Sequence, residues 1–148
     1  MNHVQGTKIV QVIASTKKTT GAATTTANLD MKGYDYATIV VNLSAYDTPT
    51  QATAPVVSLL ESDDTVVTNF ATYVADKALA GSVARDIVYH LDMRARKRYQ
   101  RISITNATAG TDNAISYGVV AIQSKAELEP ASTNDMIGNT SNDIVTIP

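Results

Sequence analysis

The chain of 148 residues has no cysteine and no tryptophan, and a single phenylalanine. Without cysteine, neither disulfides nor thiolate metal sites can hold it together. Without tryptophan it lacks the usual aromatic platform of a sugar-binding face. Charged residues make up only 18%, below the usual quarter. No apolar run approaches the roughly 20 residues that a membrane-crossing helix needs. The N-terminus, Met-Asn-His-Val-Gln-Gly, shows neither a basic region nor an apolar core. The expectation is therefore a protein without a secretory leader.

Catalytic and cofactor motifs are missing as well. The seven glycines are isolated, with no P-loop and no G-x-G-x-x-G. There is no G-x-S-x-G and no H-E-x-x-H. The two histidines, His3 and His90, lie far apart in sequence. His90 sits between Asp86 and Asp92 on the outward face of its strand, which reads as an ordinary surface histidine. Glu61, Asp63 and Asp64 gather at a hairpin tip, where turn formation is favoured over a calcium site. The expectation is a protein that is not an enzyme and binds no cofactor or metal. A net charge of −2 disfavours nucleic acid as a partner.

Threonine and alanine are abundant, each occurring 20 times. β-Branched residues suit pleated, half-buried surfaces. The pattern supports this: in Tyr36–Leu43, Ala37, Ile39, Val41 and Leu43 alternate onto one face. Further strands are expected at Lys8–Ala14, Ala27–Asp30, Pro55–Ser62, Asp86–Asp92, Arg98–Thr105 and Ala114–Gln123. Thr65–Phe70 is expected to return as the hairpin partner of Pro55–Ser62. Lys32-Gly33 marks a turn. Ala71–Ala84 is ambiguous and allows a short helix. Asn106–Asn113 has strong turn chemistry. About eight short strands without a long helix indicate an all-β, jelly-roll-like β-sandwich. Its core should include Ile39, Val41, Ile102, Ile104, Val119 and Ala121.

Residues 124–148 break the pattern. They are polar, apart from Ile144, Val145 and Ile147 near the end. The chain therefore divides into a sandwich domain, 1–123, and an extended C-terminal arm, 124–148. Such an arm can add a strand to a neighbouring sheet. Charge is also uneven: residues 1–29 hold three lysines and no acid, whereas 102–148 hold five acids against Lys125. Five of the twelve cations fall within eight residues, as Arg94, Arg96, Lys97, Arg98 and Arg101. They suit a solvated loop leading into a strand; with Tyr99 they also form a candidate docking surface for an acidic protein, with nucleic-acid contact as the third reading.

The segments YATIVVNLSAY, PVVSLLESDDT and KRYQRISITNATAGTDNAISYGVVAIQSK resemble small head proteins of tailed bacteriophages. In these a sheet strand is followed by a hairpin with a Ser-Asp-Asp turn and then an Arg-Tyr-x-Arg-Ile strand. The resemblance covers Tyr36–Lys125 and is to jelly-roll decoration (cement) proteins. It implies a structural virion protein on the outer surface of the capsid, bound at capsomer junctions. It also implies the major capsid protein as partner and a homo-oligomer, with a trimer preferred, but no membrane. The competing readings are another phage subunit (tail, neck or fibre-associated) and a carbohydrate-binding jelly-roll module.

Overall fold

A computed structural model of the chain describes residues 6–18, 24–44, 55–78, 84–105, 115–125 and 143–147. Nine strands are found among them: β1 (Thr7–Lys18), β2 (Thr24–Asp30), β3 (Tyr36–Leu43), β4 (Val56–Ser62), β5 (Ala71–Ala78), β6 (Arg85–Asp92), β7 (Tyr99–Thr105), β8 (Ile115–Ser124) and β9 (Asp143–Ile147). They form two sheets, ordered β1-β8-β3-β6-β9 and β2-β7-β4-β5. All neighbours are antiparallel except β6 and β9, which run parallel. Without β9, the orders 1-8-3-6 and 2-7-4-5 are those of a jelly roll, two Greek keys folded into facing sheets. The fold is thus an all-β jelly roll of eight strands with a ninth added from the C-terminal arm.

Alternation places the core. The inward residues of β3 are Ala37, Ile39, Val41 and Leu43, and all four are buried. Ile87, Tyr89 and Leu91 of β6 face the same way, as do Tyr117, Val119 and Ala121 of β8. The other sheet answers with Leu29, Val57, Leu59, Ile102 and Ile104, and one apolar cluster joins both sheets. The six core residues expected from the sequence are all buried.

Polar bonds close one end of the sandwich. The Met31–Tyr34 turn is closed by the Tyr34 amide donating to Met31 O, 3.0 Å. Its Gly33 has φ of +84°, a conformation that side chains disfavour. The Met31 amide donates to Arg98 O (3.0 Å), and the Met93 amide to Asp35 O (2.7 Å). Gln123, fully buried, reaches from β8 to Asp30 O at the end of β2, 2.7 Å away. The two sheets are therefore fastened together at the end that carries the cationic cluster.

Three expectations need correction. Thr65–Phe70 is not the return strand. It is a loop containing a single 3-10 turn, Val67–Asn69, and the ladder with β4 begins at Glu61 opposite Ala71. The reason is Asp64, whose carboxylate captures the Val66 amide and the Asn69 side chain and draws the segment into a turn. Ala71–Ala78, ambiguous in the sequence, is strand β5, because pairing with β4 outweighs its local preference. His90 faces outward but is only 3% exposed. Its strand is not an edge: β6 lies between β3 and β9. The turn expected at Asn106–Asn113 lies outside the described residues.

Candidate interaction surfaces

The cationic cluster follows β6. Asp92 ends that strand and accepts from the Arg94 amide (3.0 Å), starting a 3-10 turn over Met93–Ala95. β7 then begins at Tyr99. The five cations are thus set around one corner, and each is engaged within the chain. Arg94 forks onto Asp92, with its Nε 2.9 Å from Oδ1, and lies over the Tyr36 ring. Arg96 stacks on Tyr73, 4.5 Å from the ring centroid. Lys97 Nζ is 3.2 Å from Asp63, while its amide donates to Glu61. Arg98 binds Asp30 through two bonds, 2.9 and 2.7 Å, and covers Tyr99.

Arg101 is different because it is buried, at 6% exposure. It donates to Asn28 Oδ1 (2.8 Å) and Val67 O (3.4 Å) and lies 3.7 Å from the Phe70 ring. Its role is to tie β2 and the β4–β5 loop to β7. Buried charge is tolerated only with such partners.

The carboxylates answer the cations. The guanidinium of Arg98 holds Asp30 down to about 2, and that of Arg94 does the same for Asp92. The Asn69 side chain and the Val66 amide lower Asp64. Asp30, Glu61, Asp63 and Asp92 thus each engage a residue of the cluster: Arg98, Lys97 and Arg94. A dense run of cations in the sequence becomes a cross-linked surface in the fold.

The arm residues Ile144, Val145 and Ile147 lie in β9, which pairs in parallel with β6 from Ile87 opposite Asp143 to Leu91 opposite Ile147. The structure thus puts the apolar end of the arm on the chain's own sheet edge. Among the described residues, no group of three or more His, Asp or Glu is placed to hold a metal ion.

Two surfaces escaped the sequence reading. The first is the β4–β5 loop, where Val66 and Val67 are 53% and 70% exposed. Asp64 organises it: its Oδ1 accepts from the Val66 amide (2.9 Å), its Oδ2 from Asn69 Nδ2 (2.8 Å), and the Asn69 amide donates to Val66 O (3.1 Å). The second is the outer face of the five-stranded sheet. Ile9 opposes Ile122, and Val40 lies between Val120 and Val88. Ile9 is the most exposed of these, with Val120 and Ile122 partly exposed. The continuous apolar run Val119–Ile122 is the signal that could have revealed this face, because a solvated face should alternate with polar residues.

No protein-family model matches the chain, and no curated protein matches it. Solved structures do. The chain is similar to a structure of infectious bursal disease virus, Gx strain, at 11% identity and a TM-score of 0.47, over 84% of this chain and 34% of that one. It is also similar to the xylanase 10B CBM22-1–GH10 modules of Clostridium thermocellum, solved with xylohexaose, at 14% identity and a TM-score of 0.44, over 86% and 28%. A third likeness is to the Tobacco streak virus coat protein, at 11% identity and a TM-score of 0.34, over 91% and 95%. The chain spans about a third or less of the length of the first two.

Proposed function

We propose that this protein is a non-enzymatic structural subunit of a virion, bound to the outer surface of a tailed-phage capsid at capsomer junctions. Its partners in this reading are the major capsid protein and further copies of itself, in a trimer. The reading draws on the resemblance over Tyr36–Lys125 and on the jelly-roll topology. The observation that supports it most is β9, a strand from the C-terminal arm laid in parallel on the β6 edge of a completed jelly roll. Strand addition of this kind gives affinity through main-chain bonds and needs no pocket. A sheet edge that accepts an extended segment is suited to assembly.

A subunit that binds only the mature lattice stabilises that lattice by mass action. Several copies acting together add avidity to weak individual contacts. The face presented to the shell in this reading is the corner of Arg94, Arg96, Lys97, Arg98 and Tyr99, braced from beneath by buried Arg101, with Ile144, Val145 and Ile147 as strand contacts. The in-chain partners hold those side chains in place before docking, which lowers the ordering cost of binding.

The test is binding of the purified full-length protein to expanded, undecorated capsids, followed by heating. Bound particles should withstand a higher temperature before losing DNA. Replacing Arg94, Arg96 and Lys97 together by alanine should weaken binding severalfold and flatten its salt dependence. The effect should be modest, because exposed pairs contribute only about 0.2–1 kcal/mol each. Failure to bind capsids would overturn the reading; attachment to tail or neck assemblies, or to glycans, would point to what replaces it. Unchanged binding by the triple variant at every salt concentration would remove the cationic corner from the interface.

A further inference from the structure

We propose that His90 is an acid-sensitive latch for the C-terminal strand: protonation of its buried ring releases β9 from the β6 edge. This concerns the chain alone and stands without shell binding. His90 lies where three strands meet, opposite Thr38 of β3 on one side and Thr146 of β9 on the other. It points to the outer face, yet it is only 3% exposed, and Val88, two residues before it, is buried too. Its Nδ1 bonds Thr38 Oγ1 at 3.1 Å, while its Nε2 is buried with no hydrogen-bond partner among the described residues.

The two protonation states fare differently in that position. A neutral ring has a single N–H, and Thr38 can take it. An imidazolium has two, and the second would be buried without an acceptor while its charge lacks water. Among the described residues, no free carboxylate stands beside the ring to receive it. On β6, Asp92 is bound by Arg94 and Asp86 accepts from Asn42. β3 brings Tyr36, which lies under Arg94, and no charged residue. β8, beyond Thr38, brings Ile122. Asp143 of β9 is at the far end of the ladder, opposite Ile87. Burial accordingly pushes the ring below the usual histidine range.

Of the two strands beside His90, β9 is the one that yields. β3 is bonded on both sides, to β6 and β8, at the centre of the sheet. β9 is an edge strand, held among the described strands by β6 through five register pairs. Local opening runs through the least-held element. The eight-stranded roll is complete without β9, so its core survives the release. What release uncovers is the β6 edge, a row of unpaired main-chain groups able to take another strand. Acid thereby turns a closed sheet edge into a binding edge.

The test is hydrogen–deuterium exchange of the full-length chain at pH 7 and pH 5, read by mass spectrometry and corrected for the intrinsic rate. Exchange of residues 143–147 should rise at pH 5 by about tenfold, with a ceiling near thirtyfold for one group that titrates at about 6.5 once hydrated. Strands β3, β7 and β8 should keep their protection. His90→Gln, which keeps a donor for Thr38 and cannot take up a proton, should protect 143–147 equally at both pH values. Val88→Cys with Ile144→Cys gives a second reading, because the two positions stand opposite in register and the chain has no other cysteine. The oxidised pair should abolish the rise, and reduction should restore it; if His90→Gln does not fold, this pair decides alone. No rise in the wild type, an equal rise in every strand, a rise that persists in His90→Gln, or a rise as large in the oxidised pair as in the reduced one overturns the proposal.

Discussion

At the scale of single residues, the outward position of His90 conceals a buried group. Its Nδ1 lies 3.1 Å from Thr38 Oγ1, and its Nε2 is buried with no hydrogen-bond partner among the described residues. Burial lowers its pKa from the usual 6.5, because the imidazolium would have to leave water. The unfolded chain therefore takes up the proton first as pH falls. Stability linked to this group is whole above pH about 6.5 and is lost as pH falls from there through the lower folded value. The unfolding free energy should accordingly fall between pH 7 and pH 5, with a slope of at most about 1.4 kcal/mol per pH unit, and the melting temperature with it. His90→Gln should flatten that slope; an unchanged pH profile in the variant would show that another group causes it. Arg101 teaches a similar lesson. It reads as part of a docking patch in the sequence, yet its guanidinium is spent on Asn28, Val67 and Phe70.

At the scale of elements, β9 is the strand outside the jelly roll. The eight-stranded order is complete without it, and β8 and β3 carry the centre of its sheet. A chain ending at Lys125 should therefore fold, with a small loss of melting temperature from the five opened register pairs with β6. It should also expose the β6 edge and occupy particles poorly. Circular dichroism and a particle-binding assay check the two halves of this prediction. If the truncated chain does not fold, β9 belongs to the folding unit; if it folds and decorates normally, the arm is dispensable for assembly. The element most easily misread was Thr65–Phe70. Its two valines and two threonines favour a strand, but one acidic residue, Asp64, bonds the backbone ahead of it into a turn.

At the scale of the whole molecule, one core unites the sheets, so unfolding should be a single cooperative transition. Ile39 and Ile102, both fully buried, contribute to that core from opposite sheets. Replacing either by alanine should cost about 2–5 kcal/mol. In urea, each variant should lower the midpoint while fluorescence and circular dichroism remain superimposable. Two separate transitions would mean that the sheets fold as separate units. The polar bonds at one end of the molecule fit this picture, because Gln123 of one sheet donates to Asp30 O of the other.

Within the sequence, β3, β6 and β7 were legible as strands, because a period of two along the chain commits each residue to one face of any sheet. The turn at Lys32-Gly33 was legible for a similar reason: the positive φ is a local demand. The core followed from the same rule, since Ile39, Val41, Ile102 and Ile104 can hide only by facing one another. Tertiary structure alone decided the rest. Nothing local tells Arg98 that Asp30 waits on the neighbouring strand, or Lys97 that Asp63 lies across the corner, so a run of cations could not be told from a neutralised one. The burial of His90 depended on which strands flank β6, and strand order is a property of the whole fold. The apolar outer face depended on which residues of β1 and β8 stand opposite each other, because a patch is made by register between strands distant in sequence.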